Sequence, residues 1–154
     1  MAILLPFALL CALCAAVAWI DIRDGIIPDW LNLAIAALGL IRIVTTSDFS
    51  AAIEAATEGV VIGFVFWLLR RLYFAYRGIH GLGLGDVKFL AAAGIWVGVA
   101  GIPIVLLIAA TTALACAGVM QLSGRALTAL TSLSFGPFLA AGLLLTAGFQ
   151  QIGF

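Results

Sequence analysis

Charge is what this chain has least of. Only 9% of its 154 residues are Asp, Glu, Lys or Arg, where about 25% is usual in a soluble domain. Seven basic and seven acidic residues cancel to a net charge of zero, so bulk electrostatics names no partner. Histidine occurs once, at His80, and cysteine three times, at Cys11, Cys14 and Cys116. Cys11 and Cys14 form a single C-x-x-C inside an apolar run. A tetrahedral zinc site needs a second such pair or two histidines, so no metal site is expected, and no disulfide framework is implied. The thiols read as small residues of membrane helices. Internal repeats, low-complexity tracts and linkers are missing as well, which points to one domain over residues 1–154.

What is present is apolar. Hydrophobic residues make up 66% of the chain, against about 45–50% ordinarily, and the mean hydropathy is +1.30. This excludes a soluble enzyme, a nucleic-acid binder and a disordered chain. A helix needs about 20 apolar residues to cross a bilayer, so this length holds at most about six or seven crossings with short loops. No soluble domain of even about 50 residues fits beside them. The expected fold is all-α, a polytopic protein with the lipid bilayer as its surroundings.

Apolar runs between charges give six expected spans, at 3–20, 30–46, 56–69, 87–101, 102–122 and 133–152. The boundary between the fourth and fifth rests on Gly101 and Pro103, and one kinked long helix is the alternative. The third is short unless it starts near Ala51, which puts Glu54 and Glu58 in its first turns at the positive end of the helix dipole. The first lacks the basic n-region of a secretory signal and leads straight into another span, so it reads as a retained helix.

Six spans put the loops at 21–29, 70–86 and 123–132 on one side, with Arg23, Arg70, Arg71, Arg77 and Arg125, and Lys88 at its edge. The other side holds Asp48, Glu54 and Glu58, with only Arg42 near its boundary. Positive charge marks the cytoplasmic side, so both termini are expected outside. Trp19, Trp30, Trp67, Tyr73 and Tyr76 flank the cytoplasmic loops as an aromatic belt would.

Four of the seven acids fall on that cytoplasmic side: Asp21, Asp24, Asp29 and Asp86. Asp21 follows the first apolar run directly. Asp86 sits in Gly81-Leu82-Gly83-Leu84-Gly85-Asp86-Val87-Lys88, just ahead of the fourth span. Intramembrane acids cost about 2.5–3.5 kcal/mol and default to functional hypotheses, but these two lie at helix ends. Position alone therefore leaves a functional and an ordinary boundary reading open. The glycines add weight, since each costs a helix about 1 kcal/mol and alternating glycine permits irregular backbone and close approach. Such backbone is tolerated at membrane depth only where it is buried in protein or lines water. A plain glycine-rich turn is the alternative; a phosphate-cradling loop lacks its lysine followed by serine or threonine.

Two aspartates meeting at one water form a hydrolytic device. Close like charges share a proton; the ionised partner deprotonates water while the protonated one polarises a carbonyl, and the roles then reverse. No metal, serine nucleophile or histidine is required.

Asp21, then Ile27-Pro28-Asp29, together with Gly83-Leu84-Gly85-Asp86-Val87-Lys88, resembles the type IV prepilin leader peptidases, which are Gly-x-Gly-Asp membrane aspartyl proteases. Ser134-Phe135-Gly136-Pro137-Phe138 looks like that family's last helix. The similarity covers nearly the whole chain in the same order. It implies a six-helix peptidase with Asp21 and Asp86 as the catalytic pair facing the cytoplasm, Gly83, Gly85, Pro28, Gly136 and Pro137 as supporting motif positions, and no cofactor. Asp29 reads as a cap for the second span and Lys88 as a headgroup anchor. The residue between Gly83 and Gly85 is Leu84, where the family commonly has glycine. Larger members carry a zinc-binding cytoplasmic domain with two C-x-x-C pairs; without it the chain resembles the small, tight-adherence (Flp) pilus kind, and archaeal preflagellin peptidases share the core. The implied partner is a prepilin with a basic leader, a glycine before the cut and a hydrophobic helix, met at the inner (cytoplasmic) membrane. Asp24 and Asp29 are candidates to attract that leader.

The rival from another class is a small transporter or ion-conducting protein using Asp21 and Asp86, which predicts charge nearer the midplane and broken helices in corresponding halves. Three side chains get plain readings. Pro137 is expected to kink the sixth span, Arg42 to snorkel outward or pair with Glu54 or Glu58, and His80 to be a loop residue.

Overall fold

The computed structural model describes residues 4–78, 81–122 and 134–152. They form five helices: α1 (Leu4–Asp24), α2 (Asp29–Thr46), α3 (Phe49–Arg77), α4 (Leu84–Leu122) and α5 (Gly136–Ile152). Among the described residues there is no strand, and α1 to α4 are each long and apolar enough to cross a bilayer. His80, Arg125 and the expected span ends at positions 3 and 133 lie outside the described residues.

Local chemistry sets the helix ends. α1 stops at Gly25, whose φ is 67° and whose N–H donates to the Asp21 carbonyl at 2.9 Å. Pro28, extended at φ −63° and ψ 139°, then opens α2. α3 ends on Gly78 at φ 70°, its N–H on the Phe74 carbonyl, the left-handed ending that glycine adopts without a Cβ penalty.

α3 departs from the span read at 56–69 and the loop read at 70–86, because it runs for 29 residues from Phe49 to Arg77. Charge ends an apolar run but not a helix, since an arginine stem lies along apolar surface. Arg71 sits over the Trp67 ring at 5.5 Å, and Arg70 Nε donates to the Leu82 carbonyl at 2.9 Å.

α4 departs more. The chain turns at Gly98 (φ 71°, ψ 173°), not at 101–102, and Pro103 lies inside the helical run beyond it. That backbone region is essentially reserved for glycine. Groups freed at the break find partners on neighbouring helices: Val99 N–H donates to Glu58 Oε2 at 3.3 Å, and Gln150 Nε2 donates to the Val97 carbonyl at 3.0 Å.

Neighbours on each side of Gly98 show that the chain reverses there. Before it, α4 runs alongside α2, from Lys88 on Asp29 to Trp96 on the Ile35 carbonyl. After it, α4 runs against α5, with Gly101 beside Gln150 and Val105 beside Gly142. α5 itself starts at Asp21 and ends near Phe7, antiparallel to α1. The end of α1 and the starts of α2, α4 and α5 therefore gather at one end of the bundle.

Phe89 and Leu90 of α4 form the centre, with Leu10, Leu31, Ile35, Leu139 and Leu143 buried around them. The outer surface is apolar as well, with Leu33, Val60, Leu107 and Leu114 exposed, as suits a chain facing lipid. Lipid tails are as apolar as leucine, so such helices associate through close packing and buried hydrogen bonds. Trp96 Nε1 supplies one such bond, to the Ile35 carbonyl at 2.9 Å. Arg42 lies over the Trp96 ring at 4.8 Å; among the described residues no ion pair joins it to Glu54 or Glu58.

Candidate active site

Asp21 lies in the last turn of α1 and is 5% exposed. Asp86 lies in the first turn of α4. Helices that meet end to end bring both to one cavity of about 540 Å³. Its other walls are the α1–α2 link at Ile26 and Ile27, the glycine segment leading into α4, and Ser134 and Phe135 ahead of α5. A space of this size is in the range that holds small ligands or a short peptide stretch.

The start of α5 is built onto Asp21. Gly136 N–H donates to Asp21 Oδ2 at 2.8 Å, and Ser134 Oγ donates to the Asp21 carbonyl at 2.7 Å. The first amides of a helix have no partner within it, and the positive end of the helix dipole suits a carboxylate. A Cβ on Gly136 would lie 2.6 Å from Oδ2, so only glycine allows this approach. Pro137 is the second residue of α5. It begins the helix, where its missing N–H costs nothing, and the kink expected from it does not form.

Gly83 and Gly85 bring Asp86 to the same place. A Cβ on Gly83 would come within 3.0 Å of Asp86 Oδ2, and one on Gly85 within 3.1 Å of Ile27 Cβ. The segment thus lies flush against the α1–α2 link. Val87 N–H donates to the Gly83 carbonyl at 3.2 Å and starts the helix immediately.

Lys88 and Asp29 have different positions from those read in the sequence. The capping position of α2 is Pro28, whose carbonyl accepts from Leu31 N–H at 3.1 Å. Asp29 is the first helical residue, and Lys88 Nζ lies 2.7 Å from both its carboxylate oxygens. Lys88 is therefore a clasp between α2 and α4 on the cavity wall, not a free headgroup anchor. The two side chains are 48% and 73% exposed, so the pair is worth only about 0–1 kcal/mol. Asp24 has Arg23 Nε at 4.0 Å, so both acids read as leader attractors carry a basic neighbour. Among the described residues no three His, Cys, Asp or Glu side chains gather as a metal ion would require.

One polar residue of this region went unread in the sequence. Asn32 is 5% exposed, and neither its Oδ1 nor its Nδ2 has a hydrogen-bond partner. Leaving such groups unpaired costs about 1–3 kcal/mol. The available signal was an amide one turn past Asp29 in an otherwise apolar run.

These features define a class: a helical membrane protein with a carboxylate-lined cavity where the ends of its helices meet. Residues 8–118 match the model of the type IV leader peptidase family, a stretch that contains both Asp21 and Asp86, and the chain belongs to that family. It is 41% identical over 134 residues to a prepilin leader peptidase/N-methyltransferase of Burkholderia pseudomallei (strain 1026b), covering 86% of this chain and 42% of that protein. The protein of the same name from Escherichia coli (strain K12) is 36% identical over 132 residues, with 84% of this chain and 56% of the relative covered. For that of Neisseria gonorrhoeae the identity is 31% over 133 residues, covering 85% and 44%. The chain thus spans roughly half the length of these relatives. No solved structure matches it significantly.

Proposed function

We propose that this chain is an aspartyl endopeptidase that removes the leader peptide of type IV or Flp-type prepilins at the cytoplasmic face of the membrane. The observation that carries this reading is the convergence of Asp21 and Asp86 on one cavity. Peptide hydrolysis needs a base for the attacking water and an acid for the carbonyl, and two carboxyl groups sharing one proton supply both. One takes a proton from water as it attacks the carbonyl carbon; the other hydrogen-bonds the carbonyl oxygen. The tetrahedral intermediate collapses as the leaving nitrogen is protonated.

Counting α4 as two crossings on either side of Gly98 gives six crossings and puts both termini on the outer side. Arg23, Arg70, Arg71 and Arg77 then lie at the site's end, which the positive-inside bias makes cytoplasmic. A prepilin with a cytoplasmic basic leader and an apolar helix in lipid delivers its cut site to that level.

The experiment is cleavage of a prepilin in membranes by the wild type, Asp21→Asn, Asp86→Asn and Asp29→Asn at equal expression. Loss of cleavage in the first two variants, with the third active, is the expected result. Full cleavage by Asp86→Asn overturns the aspartyl reading and returns the pair to ion or proton transport.

A further inference from the structure

Beside the site runs a second, apolar cavity of about 580 Å³ between α2, α3 and the first half of α4. We propose that it seats the hydrophobic helix of the substrate, with Asn32 hydrogen-bonding the backbone where that helix gives way to the cut site. The proposal deepens the peptidase reading above and rests on it.

Four features point to this occupant. Asp29 and Lys88 line both the groove and the carboxylate cavity, so the two adjoin and share the wall that this pair forms. Ala36, Ala56 and Ala91 line the groove, and small residues are what let one membrane helix approach another closely. From Lys88 to Ile95 the floor is about 10 Å long, or two turns of an added helix. Asn32 lines the same groove with both amide atoms unpartnered, although it is 5% exposed. An apolar occupant alone does not answer it; the first turn of a helix does. The leading N–H groups there lack partners within the helix, so Asn32 Oδ1 can accept one. Asn32 Nδ2 then donates to a carbonyl of the extended segment running on toward Asp21 and Asp86.

Leu33 and Val60, each 71% exposed, stand on the walls of this groove and tolerate replacement without disturbing the core. The test puts a photo-crosslinking benzoylphenylalanine at Leu33 or Val60 in the Asp86→Asn background, in membranes carrying a type IV prepilin. Leu107 and Leu114, exposed on the second half of α4, serve as controls. The expected result is cross-linking to the hydrophobic segment of the prepilin at least tenfold above the controls, falling severalfold when Asn32→Leu is added. Equal yields from groove and control positions overturn the assignment, and so do cross-links that join two copies of this chain. Cleavage of the same prepilin by the unsubstituted chain is followed in parallel. Cleavage without groove cross-links removes the groove and leaves the peptidase; no cleavage removes both.

Discussion

Gly136 and Asp21, 115 residues apart in the chain, are joined by a backbone N–H that reaches the carboxylate at 2.8 Å. By helix propensity alone, alanine at position 136 gains about 1 kcal/mol over glycine. The site sets the opposite sign, because the added Cβ meets Asp21 Oδ2 at 2.6 Å. Displacing a reacting group by about 1 Å can cost about 100-fold in rate. Gly136→Ala is therefore expected to lose prepilin processing by about that factor while its membrane level, read by immunoblot, stays near wild type.

Gly98 makes a stability prediction. At φ 71° and ψ 173° any L side chain is strained, at a cost of about 1–3 kcal/mol. A Cβ there also meets Glu58 Oε2 at 3.0 Å. Gly98→Ala should lower the thermal midpoint in detergent. Glu58→Leu should do so as well, because it strips the acceptor from Val99 N–H, whereas Glu58→Gln keeps an acceptor and should lose less. Equal loss in the two Glu58 variants counts against the cap.

The Lys88–Asp29 pair, close as it is, sits in solvent-screened surroundings. A double-mutant cycle with Lys88→Met and Asp29→Asn is expected to return a coupling below about 1 kcal/mol, shrinking further as salt is raised. A coupling of several kcal/mol would show that the pair is desolvated.

Asn32 separates stability from processing. Replacing an unpartnered buried amide by a hydrocarbon of similar size removes a desolvation penalty. Asn32→Leu is expected to raise stability by about 1 kcal/mol and to slow processing of a full-length prepilin. A destabilised Asn32→Leu chain would show that the amide already has a partner in the resting protein.

Much of the site was legible from residues alone. Asp21 and Asp86 stand out because carboxylates are rare in so apolar a chain, and alternating glycines beside one of them make no sense in a helix. Boundaries were less legible. Arg70 and Arg71 ended an apolar run without ending α3, since hydropathy registers charge while the helix registers only backbone geometry. Gly98 was hidden among glycines, and Pro103 drew the break a few residues too late. Asn32 and the Val99–Glu58 bond depend on what a neighbouring helix offers, which periodicity does not encode. Pro137 showed that a proline's effect depends on its distance from a helix start.

The early turn at Gly98 has a consequence for the lipid. Ahead of it α4 has only 14 residues, 84–97, about 21 Å of helix, beside a hydrocarbon core of about 30 Å. α1 and α3 are long enough to cross it fully, so the bundle has unequal height and its shortest member carries Asp86. A bilayer meets such mismatch by thinning locally. Membrane thickness then sets strain on the helix that positions a site carboxylate, and processing should run faster in vesicles of short-chain than of long-chain phospholipid.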